Sequence, residues 1–276
     1  MSGQGSEEGA VTGERGGGAS VGLRYDLSVA VLSEDAGMTV RGVLRKRLGV
    51  STRLIRTMTQ GAGGVFVNGA PARFRDVVGG GDMVGLRFPE EASDFVPQPV
   101  PVDVLYEDED ILAVNKQPGI VVHPTKGHVD WTLANGLMLR MQERGERYKI
   151  RFINRLDMGT SGILLVGKNA HAQSDFTRQA GRGRIEKEYL AIVCGEPPEA
   201  SGTVDAPIAL FAEGQPERCV RADGAPSVTH YEVLRRGTLC LLRLRIETGR
   251  THQIRVHLAH IGCPILGDSL YGTPAP

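Results

Sequence analysis

The stretch Arg151–Leu165, RFINRLDMGTSGILL, decides how this chain is read. It sets an acid, Asp157, two residues after an arginine, Arg155. Small residues follow, Gly159-Thr160-Ser161-Gly162, and then an apolar run from Ile163 to Val166. The small residues allow a sharp bend, and the apolar run has the length and composition of a buried strand. Two readings of the acid stand at this point. A carboxylate held on a tight turn, with a guanidinium near it, is a nucleophile in waiting, because a carboxylate is weak until something positions it. Alternatively, Arg155 and Asp157 form an ion pair that merely holds a loop.

The bounds around that stretch are broad. The chain has 276 residues, 41% hydrophobic and 23% charged, which is ordinary globular material for one large domain or two. Its formal net charge is zero, so a polyanionic partner must be met by local charge. The four cysteines, Cys194, Cys219, Cys240 and Cys263, form no CxxC pair, which indicates neither a zinc site nor a disulfide framework. Reduced thiols in a cytoplasmic protein are the default. No apolar run approaches a membrane span of about 20 residues, so no membrane is expected. The N-terminal 20 residues are acidic, glycine-rich and poor in large apolar groups, and are expected to form a disordered tail rather than a secretory signal.

Residues 21–90 read as a small module. A strand is expected between Tyr25 and Val31, and Val40, Val43, Leu44 and Leu48 have helical spacing. Gly49 fits a C-cap and Ser51 the N-cap of a second helix that buries Leu54, Ile55 and Met58. Val65-Phe66-Val67 and Asn68-Gly69 read as a strand and hairpin turn. A further strand is expected to end near Gly81-Asp82, before Met83–Leu86. The two helices carry Arg41, Arg45, Lys46, Arg53 and Arg56 with no acid among them. That is an electrostatic footprint for phosphates, or else a solvated face. The run VRGVLRKRLGVSTRLIRTMTQGAGGVFVNGAPARFRDVVGGGDMV resembles the S4 RNA-binding domain, in its Gly-Val-Ser-x-Arg link, its Val-x-Val-Asn-Gly hairpin and its terminal Gly-Asp. The resemblance implies a basic helix face set against structured RNA.

Proline and acid dominate residues 91–101, which are expected to form a stiff linker. Beyond it, Val104–Tyr106 and Ile111–Lys116 read as strands around an acidic turn, with a third expected at Ile120–Val122 and a helix from Thr132 to Met141. His123 reads as structural. Ala170–Ala180 reads as a helix, and Lys187 and Tyr189 lead into a strand at Leu190–Val193. Strands are expected at Ser227–Leu234 and Leu239–Ile246, and Thr251–Ile261 has helical spacing. Arg250, His252, Gln253 and Arg255 then cluster at a helix start, a place that suits phosphate or carboxylate. Zinc on His252, His257 and His260 competes, but the spacing is wrong for it.

Arg155-Leu156-Asp157, Lys187-x-Tyr189 and TGRTHQIRVHLAHIGCPILGD, in that order, resemble the RluA-type family of pseudouridine synthases, as do VLYEDEDILAVNKQPGIVVHP and TLANGL. The resemblance spans residues 102–276 and implies an α+β fold: the small RNA-binding module, then a mixed, mainly antiparallel catalytic sheet with flanking helices. It implies an RNA pseudouridine synthase that needs no cofactor or metal, acting as a monomer on large-subunit ribosomal RNA. Asp157 would act on the nucleotide C1′. Tyr189 would lie against the base, and Arg255 would be the ion partner of Asp157, with Arg250 its rival. Arg155, Asn154, Lys187, Arg250 and His252 would contact the substrate. Alternatives are a transfer-RNA synthase or a non-catalytic ribosome-assembly factor. The family usually places His where Asn154 stands, an acid at Gly159 and Pro at Gln117. Its members continue beyond Leu270-Tyr271-Gly272, so the catalytic sheet is expected to lack a C-terminal strand.

Overall fold

A computed structural model describes residues 25–60 and 63–272. The tail expected to be disordered lies outside them, as does Gly61 at the end of the second helix. The chain divides into two compact units at Phe176/Thr177.

The first unit begins with β1 (Leu27–Ala30), α1 (Val40–Leu48), α2 (Thr52–Thr59), β2 (Gly64–Val67), β3 (Ala70–Pro71) and β4 (Met83–Arg87). The strands form an antiparallel sheet in the order β1-β4-β2-β3. Val40, Val43, Leu44, Leu54, Ile55 and Met58 pack on it through Val65, Val84 and Leu86. The caps are as the sequence implies: Gly49 is left-handed at φ 62°, and the Ser51 hydroxyl accepts from the Leu54 N–H at 3.2 Å. Asn68 and Gly69 both have positive φ, which a two-residue hairpin of this hand requires.

The same unit continues through β5 (Val104–Glu107), β6 (Ile111–Lys116), α3 (Leu133–Arg144), β7 (Arg151–Phe152), β8 (Gly162–Gly167) and α4 (Ala170–Gly181), the last of which runs across the division. Its second sheet has the order β5-β6-β8-β7, again antiparallel. Leu133, Leu137 and Met141 form one face of α3 and pack against Leu112, Val114, Leu164 and Val166. Residues 91–101 are extended, as their prolines require, but they are docked: the Asn135 amide donates to Val96 O, Gln98 N–H donates to Asn135 O, and Val100 is buried.

The second unit contains β9 (Glu188–Cys194), β10 (Ser201–Asp205), β11 (Ile208–Leu210), β12 (Arg218–Val220), β13 (Val228–Arg235), β14 (Leu239–Ile246) and α5 (Gln253–His260). Four of these strands pair antiparallel in the order β10-β13-β14-β9, and β11 and β12 form a separate hairpin. Alternation along β14 buries Cys240, Leu242, Leu244 and Ile246 and turns Arg243 outward, where it meets Glu232 directly across the ladder at 3.1 Å. Leu258 of α5 is fully buried in this core.

Two expected strands are loops, for one physical reason. Val121 and Val122 give their carbonyls to the Leu133 and Ala134 N–H groups at the start of α3. Phe74 and Asp76 give theirs to Arg41 and Val40 at the start of α1. A helix start has unsatisfied N–H groups, and these segments satisfy them instead of pairing as strands. The helix expected from Thr251 begins at Gln253, because His252 is left-handed at φ 57°. β10, β11 and β12 lie in the proline- and glycine-rich run where no strand was expected. No helix among the described residues is long and apolar enough to cross a membrane.

Candidate active site

Asp157 heads the turn between β7 and β8, and its carbonyl accepts from the Thr160 N–H at 3.0 Å. Asp is favoured at the first position of such a turn. Its side chain is half-buried, while Arg155 is exposed. Asn154 fastens the stretch before the turn. Its amide donates to Ile163 O at 3.1 Å and accepts from Leu165 N–H at 2.7 Å, so the side chain extends the β8 ladder in the manner of a backbone. This is a structural use that the sequence reading did not assign to Asn154.

The far side of the turn is held by a residue the sequence reading passed over. Lys116, the last residue of β6, faces Gly162 of β8 in the ladder and is 1% exposed. Its ammonium donates to Gln117 O at 2.9 Å, Ile120 O at 2.8 Å and Met158 O at 3.1 Å. An ammonium has three protons to give, and all are used, which is the condition for keeping such a charge inside. Burial pushes its pKa down, and the Asp157 charge opposes that fall. The Gly119 N–H also donates to Met158 O, at 2.8 Å. The residue after Asp157 is thus tied twice to the loop that leaves β6. Nothing in the apolar run ILAVNK except its ending in a lysine hinted at this.

The remaining catalytic and substrate-contact candidates lie in the second unit. Tyr189 is on β9 opposite Leu244, half-buried against that unit's core. Lys187, just before β9, is half-buried too, and burial lowers its pKa. Arg250 donates from Nε to Pro226 O at 3.2 Å. The buried Gln253 organises the loop before α5: its carbonyl accepts from Thr248 Oγ1 and Arg250 N–H, and its amide donates to Val228 O and Thr229 Oγ1. His252 packs edge-on to Tyr271, with Nδ1 2.8 Å from the Tyr271 hydroxyl. His257 is fully buried. Its Nδ1 lies 2.9 Å from Thr229 Oγ1 and its Nε2 2.9 Å from Ala206 O, so both ring nitrogens are committed to the fold. The Ala206 carbonyl can only accept, which makes Nε2 the protonated nitrogen.

Arg255 has a partner the sequence reading did not name. Its Nε and Nη2 each donate at 2.7 Å to the two carboxylate oxygens of Asp268, and its guanidinium lies 5.0 Å from the centre of the Tyr271 ring. Burial alone would raise the Asp268 pKa. The Arg255 pair and the Leu270 and Tyr271 N–H groups outweigh it and hold the carboxyl below its ordinary value. Such a two-pronged pair fixes the orientation of the guanidinium plane.

The basic helix face is narrower than its sequence suggests. Lys46 donates to Asp35 at 2.6 Å and Arg47 to the other oxygen of the same carboxylate at 2.5 Å, and Asp35 is fully buried. Arg41, Arg45, Arg53 and Arg56 are exposed on α1 and α2, and their side chains form no ion pair or hydrogen bond among the described residues.

Residues 110–260 match the RNA pseudouridylate synthase family. The chain is 40% identical over 228 residues to YjbO of Bacillus subtilis (strain 168), named an uncharacterized RNA pseudouridine synthase, covering 82% of this chain and 81% of that protein. It is 37% identical over 254 residues to the ribosomal large subunit pseudouridine synthase D of Haemophilus ducreyi (strain 35000HP), covering 91% of this chain and 74% of that one. Among solved structures, human RNA pseudouridylate synthase domain containing 1 superposes with a TM-score of 0.53 at 31% identity, over 64% of this chain and 72% of that one.

Proposed function

This chain belongs to the RNA pseudouridylate synthase family, and on that footing we propose that it isomerises uridines in large-subunit ribosomal RNA, with Asp157 as the carboxylate that acts at C1′. The reaction breaks the N1–C1′ bond, turns the base and joins C5 to C1′. One proton leaves C5 and one arrives at N1, so atoms and charge balance without an external reactant. The sugar carbon passes through an electron-poor state, which a held carboxylate stabilises or attacks, as in glycoside chemistry.

The observation that carries this reading is the clamped turn: Asp157 stands at its head, and the next residue is gripped by the ammonium of Lys116 and the N–H of Gly119. A fixed carboxylate loses little freedom when the nucleotide arrives. Tyr189 is assigned to the target base and Arg255, Arg250, His252, Lys187, Arg155 and Asn154 to supporting roles on the family resemblance. The target base must leave its stack, at a cost of a few kcal/mol that is lower in loops. Arg41, Arg45, Arg53 and Arg56 would offset that cost by holding phosphates. The ribosomal assignment rests on relatives named for that substrate.

The test is to map pseudouridines in ribosomal RNA from cells lacking the protein. At least one site is expected to vanish and to return with the parent gene but not with Asp157→Asn. Unaltered ribosomal RNA would remove the ribosomal substrate, and restoration by Asp157→Asn would remove the assignment of Asp157.

A further inference from the structure

The loop that leaves Lys116 and ends at α3 carries the single tryptophan of the chain, and the fold holds that tryptophan in an unusual way. Trp131 has φ +54°. Left-handed backbone is uncommon outside glycine and is a true outlier for a bulky side chain. Among the described residues only Asn68, Trp131 and His252 share it without being glycine. Asn68 is in a hairpin turn that asks for it, and His252 is one of the residues that the family resemblance sets against the substrate. Strain of this kind persists where the surroundings enforce it, and it gathers at functional positions.

The enforcement is visible. The Trp131 N–H donates to Gln98 Oε1 at 2.6 Å, and the next residue, Thr132, is buried and donates from its N–H and its hydroxyl to Asn135 Oδ1. The backbone of Trp131 is therefore fixed, yet the residue is 59% exposed, and Val129 two residues earlier is 71% exposed. The indole makes no hydrogen bond or ring contact among the described residues. A tryptophan that served to anchor the loop would be covered. This one is pinned from behind and left bare in front.

We propose that Trp131, with Val129, is a stacking platform for an unpaired base of the RNA substrate. Three observations favour RNA as the occupant. The chain belongs to an RNA-modifying family. The exposed tip of the loop offers Lys126 and His128, whose N–H groups can donate to a phosphate or a base edge, beside one acid, Asp130. The other end of the loop is fastened to the turn of Asp157 through Gly119 and Lys116. An exposed aromatic face with no hydrogen bond or ring contact of its own is suited to splayed single-stranded bases, whose faces stack whatever their identity. The proposal rests on the RNA substrate of the family and not on the choice of uridine.

Because Trp131 is the lone tryptophan, its fluorescence reports the contact directly. The probes are an RNA hairpin with an unpaired, uridine-containing loop and a blunt duplex of the same stem, titrated into the full chain. Quenching is expected with the hairpin and not with the duplex. Trp131→Gly, whose residue suits a positive φ, is expected to keep or raise the melting temperature while weakening hairpin affinity about tenfold, with Trp131→Phe in between. Stacking releases no counterions, so Trp131→Gly should leave the salt slope of binding as it was. Fluorescence blind to saturating hairpin, or a Trp131→Gly affinity equal to that of the parent, would overturn the proposal. Quenching without tritium release from uridine-labelled RNA would count against the enzymatic reading while leaving the platform in place.

Discussion

At the scale of single residues, the structure shows what fastens the turn that Asp157 heads. Arg155, two residues before Asp157, is exposed. Lys116 is forty-one places away, buried to 1% exposure, and bonded to the carbonyl of the residue next to Asp157. Replacing Lys116 with Met is expected to leave the Gln117 and Ile120 carbonyls without their donor and Met158 O with the Gly119 N–H alone, costing about 1–3 kcal/mol of stability. It should also loosen the turn, lowering kcat about a hundredfold, the scale of a roughly 1 Å misplacement, with RNA affinity little altered. Steady-state kinetics beside a urea melt would check this. A folded Lys116→Met variant with parental kcat would show that the lysine only fills the core. The motif Arg-Leu-Asp was legible because its members are adjacent in sequence. Lys116 and Asp268 were not, because each acquires its meaning from a partner brought near only by the fold. Asn154 shows the same limit: its amide serves β8, and no local pattern announces that.

Among the elements, helix starts account for most of the misreading. The apolar triplet Ile120–Val122 has strand composition, and Val122 is buried as a strand residue would be, but its carbonyl is used by α3. Composition reports burial and leaves open which donor takes the carbonyl. Gly136, inside α3, is another residue whose reason is tertiary. A Cβ there would sit 2.5 Å from Val100 O, so the docked segment 91–101 passes over a gap that only glycine leaves. Gly136→Ala, favourable for an isolated helix by about 1 kcal/mol, is expected instead to destabilise the chain by about 1–3 kcal/mol through overpacking. A rise in urea midpoint would contradict that. In the small module, the hydrogen bonds of Arg47 and then of Lys46 hold the Asp35 carboxyl below its ordinary value. Unfolded aspartate titrates near pH 3.9 or so. A depressed carboxylate stabilises the fold above that pH and loses its contribution as pH falls through the lower folded value. Stability is therefore expected to drop on acidification below about pH 4, and to drop less in Asp35→Asn. Parallel curves for the two proteins in that window would show that the buried pair contributes nothing.

For the whole molecule, the α+β class, the antiparallel sheets and the family could be read from periodicity and from motifs kept in order along the chain. The division at Phe176/Thr177 could not, since it depends on long-range pairing and not on any linker composition. Net charge is zero, so RNA affinity must come from local charge, and the exposed arginines of α1 and α2 are its proposed source. Converting Arg45, Arg53 and Arg56 to Gln is expected to weaken RNA binding and to flatten the log–log salt dependence by about 3. An unchanged slope would mean that those arginines only face water. The central claim is that Asp157 carries the isomerisation. It is tested most directly by tritium release from RNA labelled at uridine C5, using the purified chain and Asp157→Asn at matched RNA affinity. Release by the parent and background counts from Asp157→Asn are the expected result. Equal release from both proteins would contradict the account.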